Sequence, residues 1–393
     1  MMDISNHLCG NWNYPTTIWF GSGRIEELPA ACKALGMQRP LLVTDAGLTK
    51  LPMVSQAITH NQNQGIPSGL FFDVKPNPNG ANIEEGVKHF RDDGHDGVIA
   101  LGGGSALDAG KAIALMAGQH RPIWDFEDVG DNWRRVDADG IAPIIALPTT
   151  SGTGSEVGRA SLIVDEETHT KKIIFHPRML PAIVIADPQL TVGLPANITA
   201  ATGMDALSHN LEAYCSPSYH PMADGIALEG MRLIKEWLVT ACEEPLNIEA
   251  RSHMMQASTM GATAFQKGLG AMHALAHPLG AIYDAHHGLL NAILMPYVLL
   301  KNRPAIDARM HHLARYLELD GENFETVLDY ILTLRSHIGI PDDLRSIGID
   351  DSRIDEIATQ AQQDPSAAGN PIPLAQQQYA ELLSDAINGR LEP

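Results

Sequence analysis

Cations are scarce in this chain. Against 47 aspartates and glutamates it sets 27 lysines and arginines, a formal net charge of −20 over 393 residues. That balance argues against a nucleic-acid or anionic-membrane partner and favours small substrates that are neutral or locally neutralised. Cysteine is scarcer still: Cys9, Cys32, Cys215 and Cys242 are spread along the chain with no CxxC pair. Such spacing excludes a disulfide framework or a zinc ribbon and reads as the reduced, mostly buried thiols of a cytosolic protein. No run of about 18 apolar residues occurs, so no membrane-spanning segment is expected. The opening MMDISNHLCGNW lacks the basic start and apolar stretch of a secretory signal, and a cytoplasmic location is expected. Internal repeats and low-complexity linkers are missing too. Apolar side chains, by contrast, make up 44% of residues, enough for full-sized cores, and the length exceeds one ordinary domain and predicts two.

The first half alternates short apolar runs with amphipathic stretches. PLLVTDAG (40–47), GLFFDV (69–74), DGVIALGGGS (96–105), APIIALPTTSGTGSE (142–156) and AIVIADP (182–188) read as strands running into turns, and Ile83 to Asp92 and Ala106 to Met116 read as helices. Alternation of this kind predicts a parallel sheet covered by helices. Past about residue 190 strand signals nearly vanish. LPANITAATGMDALSHNLEAY carries Ala and Leu at helical spacing, Ile226, Met231, Ile234 and Leu238 mark an amphipathic helix, and Asp307 to Tyr316, Glu325 to Ile338 and Leu374 to Ile387 look helical. The expectation is an α/β Rossmann-like domain over 1–190 and an all-α helical domain over 191–393.

Two loops of the first half suit an anion. In GGGSALDAGKAIAL (102–115) a strand meets glycines and then a helix start; glycine admits positive φ, Ser105 is placed to cap the helix, and a helix N-terminus attracts phosphate. The run is not GxGxxG, so the dinucleotide fingerprint is not met literally. PTTSGTGSE (148–156) repeats the pattern in hydroxyls and glycines. Together they are placed to hold a pyrophosphate at the carboxyl edge of the sheet. Asp45 ends a strand, where an acidic side chain accepts hydrogen bonds from a ribose or merely closes a turn.

The stretch GLGAMHALAHPLGAIYDAHHG (268–288) sets His273, His277, His286 and His287 among small and apolar residues, and TGMDALSHNLEAY adds Asp205 and His209. Buried imidazoles without ligation or hydrogen bonding are costly, and one carboxylate with several imidazoles is a ligand set for a divalent transition metal. Asp205 and His209 share a helical face, as do His273 and His277. Pro278 and Gly280 are expected to interrupt that second helix, bringing His286 or His287 in from a separate segment. His7, His60, His95, His169, His253, His311 and His312 are scattered and read as ordinary side chains.

These residues resemble the iron-dependent (group III) alcohol dehydrogenases over essentially the whole chain. The series runs from TTIWFGSG through VTD (43–45), PNP (76–78), GGGSxxDxxK (102–111), PTTSGTGSE, KKI (171–173), ADPxLTxxLP (186–195) and ATGMDALSHxxEAY (201–214) to HALAHPLGAxYDxxHG (273–288). The resemblance implies a dehydroquinate synthase-like architecture of two domains, with NAD(P) in the cleft and one Fe2+ near the nicotinamide. It implies Asp205, His209, His273 and His287 as metal ligands, the spacing from His273 selecting His287 over His286. His277 then contacts substrate or relays protons. Gly103, Gly104, Ser105 and Asp108 match the cofactor loop, Thr149, Thr150 and Thr153 the second loop, and Asn77, Lys172 and Leu190 further cofactor contacts. Asp45 matches the position associated with NAD over NADP. Relatives are often homodimers or larger homo-oligomers.

Gly110 stands where alanine usually precedes the lysine, and FQKGLG (265–270) is one residue shorter than the frequent form in a segment that lines the substrate region of relatives. That form, with Phe175 and His176 before a leucine-proline, resembles members acting on 4-hydroxybutyrate and similar hydroxy acids, where Arg178 would pair with the substrate carboxylate or stand as a solvated surface arginine. The expected activity is reversible hydride transfer between nicotinamide and a small primary alcohol or aldehyde, the metal acting as a Lewis acid. A hydroxy-acid dehydrogenase or hydroxyacid–oxoacid transhydrogenase is the alternative on the same scaffold, and a metal- and NAD-dependent lyase of the dehydroquinate synthase type the alternative of another class. Three nitrogens and one oxygen suit Zn2+ as well, and the resemblance favours iron.

Overall fold

The computed structural model describes residues 10–12, 16–168 and 170–391. His7, Cys9 and His169 lie outside the described residues. The chain divides into two compact units, Met1–Thr150 with Gly154–Val192 and Ser151–Thr153 with Gly193–Pro393.

The first unit is built on a seven-stranded sheet. Its strands are β1 (Gly10–Trp12), β2 (Thr17–Phe20), β3 (Leu41–Asp45), β4 (Gly69–Val74), β5 (Val98–Gly102), β6 (Ile144–Pro148) and β9 (Ile183–Ala186), in the order β1-β2-β9-β6-β5-β3-β4. Only the β1–β2 pair is antiparallel. The aliphatic runs of the central strands explain this. Residues 41–43, 98–101, 144–147 and 183–186 are all buried, as a sheet covered on both faces requires. Leu41, Val43, Val98 and Ile144 pack with Ile83, Val87 and Phe90 of α3 (Gly80–Asp92) and Ala109, Ala112 and Ile113 of α4 (Gly104–Met116). Leu42, Ile99, Ile145 and Leu147 pack on the other side with Leu28 and Cys32 of α1 (Leu28–Ala34) and Val54 and Ala57 of α2 (Pro52–Asn63).

A hairpin of β7 (Ala160–Asp165) and β8 (Thr170–Phe175) stands beside this sheet and was not expected. Its pattern hides it. Along β7 the buried positions are Ser161, Ile163 and Asp165, so the inward face is two-thirds polar and the period-two signal is lost.

The second unit holds the helices α5 (Ala196–Cys215), α6 (Pro221–Glu243), α7 (Ile248–Ala264), α8 (Ala271–Tyr283), α9 (His287–Tyr316), α10 (Phe324–His337), α11 (Ile354–Gln363) and α12 (Gln376–Asn388), with no strand among its described residues. From Thr199 to Cys215 every residue of α5 is buried, so this helix is the centre of the unit, and α6, α7 and α9 pack around it. One expectation fails here. Pro278 and Gly280 do not interrupt α8, which continues to Tyr283 and closes at Asp284 with φ 51°. An interior proline costs about 3 kcal/mol. Residues 271–280 are buried throughout, and that packing outweighs the missing amide bond.

Candidate metal centre and cofactor loops

Three helices bring one carboxylate and three imidazoles together. Asp205 and His209 lie one turn apart on α5, His273 is in the first turn of α8, and His287 opens α9. One ligand atom from each lies within 4.8 Å of the other three. Close approach of α9 to α5 needs glycine after the histidine: a Cβ on Gly288 would stand 2.4 Å from the Ala201 carbonyl oxygen and 2.9 Å from Asp205 Cβ. His286 is the exposed N-cap of α9, its Nδ1 accepting from Leu289 N at 3.4 Å, and is not in the group.

The ring orientations are fixed from behind. His209 Nδ1 donates to the Gly152 carbonyl at 3.1 Å. His273 Nδ1 lies 2.7 Å from Glu212 Oε2, and the same carboxylate accepts Gly270 N at 2.9 Å and Met272 N at 2.8 Å. Both imidazoles therefore turn Nε2, with its lone pair, toward the group. Burial pushes the His273 imidazole well below its ordinary value, and the neighbouring His209 adds to this, so the ring is neutral, the form that ligates cations. Burial also raises the Glu212 carboxyl to about 7, against the pull of the Gly270 and Met272 amides. A carboxylate behind a ligating histidine raises its basicity and locks its tautomer, and losing such a partner costs roughly 10- to 100-fold in metal affinity. Glu212→Gln is expected to fall in that range in a chelator-competition titration, with the fold intact by circular dichroism.

His277 lies one turn beyond His273, outside the four-residue group. Its ring stacks on that of His287 at 5.4 Å and meets that of His273 edge-on at 6.0 Å. Its Nδ1 is 2.8 Å from Asp364 Oδ2. Burial alone would raise the Asp364 carboxyl, but the His277 ring and the Ser366 amide hold it below its usual range. Three imidazole nitrogens and one carboxylate, buried or half-buried, fit a divalent transition cation and leave it a residual charge of about +1.

The loop after β5 departs from expectation in one detail. Ser105 does not cap α4. Gly103 is the N-cap, without a side-chain bond, and the Ser105 hydroxyl donates to the Pro76 carbonyl. No side chain therefore closes the helix N-terminus, which leaves its first amides open to an anion. Gly102 holds φ 152°, and a Cβ there would stand 2.6 Å from Ala106 Cβ. Gly110 has its own reason: a Cβ on it would come 2.6 Å from Ala100 Cβ, so glycine lets α4 press onto β5.

The second loop is knotted to α4. Thr149 N donates to Gly102 O at 3.0 Å. Asp108 accepts from the Ser155 hydroxyl at 2.5 Å and from Leu162 N at 3.0 Å. Lys111, 1% exposed, pairs with Asp108 at 3.2 Å and donates to the carbonyls of Ser155 and Ala160. Asp108 thus holds protein, and the sequence reading missed Lys111. Thr150 lies against Gly103, whose Cβ would stand 3.4 Å from Thr150 Cγ2, while Thr153 groups with the helical unit.

The remaining positions lie as follows. Asp45 Oδ1 accepts from Gly47 N and Leu48 N, so one oxygen closes the turn. Asn77 belongs to the turn between β4 and α3, and Leu190 is core. Lys172 Nζ pairs with Asp165 at 2.8 Å and lies over the Trp124 ring at 5.4 Å. Arg178 pairs with Asp139 at 3.0 Å on the surface, an exposed ion pair of little energetic weight. In the shortened 265–270 segment Lys267 is buried, bonded to Asp224 at 2.5 Å and to Tyr214 O at 3.2 Å. Of the residues missed, Glu212 carried a signal, lying three positions after His209 on its helical face. Asp364, in a polar stretch that reads as surface, carried none.

Known proteins resemble this chain over nearly its whole length. The iron-containing alcohol dehydrogenase model matches residues 15–188, and the C-terminal model of the Fe-containing alcohol dehydrogenase family matches 199–387. The 4-hydroxybutyrate dehydrogenase of Cupriavidus necator is 37% identical over 385 residues, covering 95% of this chain and 99% of that protein. A crystal structure of 1,3-propanediol oxidoreductase superposes with a TM-score of 0.89 at 35% identity, over 94% of this chain and 97% of that one. Sulfoacetaldehyde reductase from Bifidobacterium kashiwanohense, solved in complex with NAD+, gives 0.86 at 29% identity over 96% and 98%. The chain belongs to the iron-containing alcohol dehydrogenase family. It is an alcohol dehydrogenase, an oxidoreductase acting on CH–OH groups.

Proposed function

We propose that this protein is an NAD-linked, iron-dependent dehydrogenase that interconverts short-chain primary alcohols and their aldehydes. The observation that carries the reading is the convergence of Asp205, His209, His273 and His287 on one point inside the helical unit. A divalent cation held there supplies Lewis acidity, which makes an alcohol hydroxyl acidic near neutral pH or polarises a carbonyl. A nicotinamide dinucleotide would supply the hydride acceptor for oxidation and the donor for reduction. The first unit binds it through the open N-terminus of α4 at Gly103, Gly104 and Ser105 and through Thr149 and Thr150. Asn77, Lys172 and Leu190 are further proposed contacts of the first unit, and Thr153 is one of the helical unit. Asp108 acts by fixing the second loop. Asp45 keeps one carboxylate oxygen beyond its turn bonds, placed to accept from a ribose hydroxyl and to repel a 2′-phosphate, which favours NAD over NADP.

His277 handles the hydroxyl proton. Its Nδ1–H is directed to Asp364, which leaves Nε2 to accept the proton on oxidation and return it on reduction. His277→Ala is expected to keep wild-type metal content and lose about 10²- to 10⁴-fold in kcat. Loss of the metal would assign His277 to ligation instead.

A second reading, that the far end of the substrate carries a carboxylate, is favoured by the 37% identity with the 4-hydroxybutyrate enzyme. The substrates in the names of the three relatives share a short chain, a terminal carbinol or aldehyde and a polar group at the other end. The Fe2+-loaded protein should be assayed anaerobically, by NADH absorbance, with 1,3-propanediol, 4-hydroxybutyrate and simple alcohols. NADH formation with a member of this panel is expected. Its absence throughout, in protein shown to be metal-loaded, contradicts the reading. The surface of this acidic chain fits neither nucleic acid nor anionic membrane, no described helix is long and apolar enough to cross a bilayer, and the proposed assembly is a homodimer or larger homo-oligomer in the cytoplasm.

A further inference from the structure

Asn291 lies one turn after His287 on α9, wholly buried, in a stretch whose neighbours Leu290, Ala292, Ile293 and Leu294 are buried and apolar. Its amide nitrogen is 2.9 Å from Asp205 Oδ1, 3.2 Å from His273 Nε2 and 3.2 Å from His287 Nε2. It therefore touches three of the four donor atoms. Its amide oxygen is buried without a hydrogen-bond partner. A buried polar group left half-satisfied costs about 1–3 kcal/mol. Leucine at this point of an apolar helix would avoid that cost, so packing does not account for an asparagine here.

Asp205 is the acceptor that matches this donor. Its carboxylate is 1% exposed, and among the described residues no lysine or arginine pairs with it. Among the described residues, the hydrogen bond this carboxylate accepts comes from Asn291. A lone buried carboxylate needs a donor to hold its orientation. The amide offers two N–H groups to three acceptors. When the imidazole lone pairs are committed to a cation, the N–H groups are left to Asp205. When they are not, the amide ties the carboxylate and both rings together.

We infer that Asn291 is a positioning residue of the metal centre, its side-chain NH2 orienting Asp205 and holding the donor set assembled. This rests on the metal-centre reading above, and the test separates the two. Protein freed of metal by chelation is titrated anaerobically with Co2+, following its visible absorption, for the wild type, Asn291→Leu, Asn291→Ala and Asn291→Ser. Leucine keeps the volume and removes the donor; serine restores a donor that alanine lacks. The expected result is roughly 10- to 100-fold weaker Co2+ binding in Asn291→Leu and Asn291→Ala, with altered visible bands, and partial recovery in Asn291→Ser. Far-ultraviolet circular dichroism should match the wild type. Should the leucine variant not fold, the alanine–serine comparison decides. Wild-type affinity and spectrum in Asn291→Leu or Asn291→Ala, or equal affinities for alanine and serine, overturns the inference and leaves the metal-centre reading intact. Absence of a saturable Co2+ spectrum in the wild type removes the metal-centre reading itself.

Discussion

Asp205→Asn is expected to empty the metal centre and to lower kcat about a thousand-fold. The substitution keeps the shape of the side chain and an oxygen able to accept from Asn291, while the negative charge is lost and the other oxygen becomes an NH2 donor. Asp205 is the single anion among the four residues that converge. Without it three neutral imidazoles face a divalent ion, and the affinity of the site collapses. Lewis-acid stabilisation contributes several kcal/mol, and about 4 kcal/mol corresponds to a thousand-fold in rate. Stability should move the other way. A buried carboxylate with no cation nearby is costly, so the metal-free variant should melt at or above the temperature of the metal-free wild type. That divergence separates loss of a ligand from simple unfolding. Metal content by mass spectrometry, kcat at saturating Fe2+ and a melting curve of stripped protein measure all three. A variant with full metal content and a kcat within about tenfold of wild type would remove Asp205 from the centre.

Lys111→Met should give the largest loss of stability among single changes in the first unit. The ammonium is wholly buried, pairs with Asp108 and bonds the carbonyls of Ser155 and Ala160. Methionine fills most of the volume but leaves two carbonyls and a largely buried carboxylate without their cation. Removing one partner of a buried pair costs roughly 3–5 kcal/mol. Because Asp108 and Lys111 together anchor the segment from Ser155 to Leu162, the loop that carries Thr149 and Thr150 should loosen too. The KM for the dinucleotide is then expected to rise at least about tenfold, with kcat at saturating dinucleotide changed less, because this knot touches no reacting atom. Denaturant unfolding followed by tryptophan fluorescence and steady-state kinetics test the two halves. Wild-type values for both would show that the knot is dispensable.

The parts of the fold legible in the sequence are those where burial is one-sided chemistry. β3, β5, β6 and β9 are aliphatic runs because both faces of the sheet are covered, and such runs need no alternation to be seen. The β7–β8 hairpin was opaque because its buried face carries Ser161, which bonds the distant Asp108 carbonyl, and Asp165, which pairs with Lys172 across the hairpin. Pro278 misled because a local rule was outweighed by packing around α8. Ser105 misled because its hydroxyl found the Pro76 carbonyl before any helix amide. The grouping of these four side chains was readable from helical spacing, which puts Asp205 beside His209, and from the resemblance, which selects His287 over the exposed His286. Glu212, Asn291 and Asp364 take their meaning from contacts across the helical unit, and side-chain type alone does not reveal those.

One cation, held by Asp205, His209, His273 and His287, is expected to be required for alcohol oxidation. The most direct test of this requirement is to strip the protein with chelator and titrate Fe2+ back without oxygen, following NADH formation on an active alcohol. Activity should rise linearly from near zero and break at one equivalent of Fe2+ per chain, and His273→Ala should abolish the rise. Full activity in demonstrably metal-free protein, or an unchanged titration in His273→Ala, would contradict it.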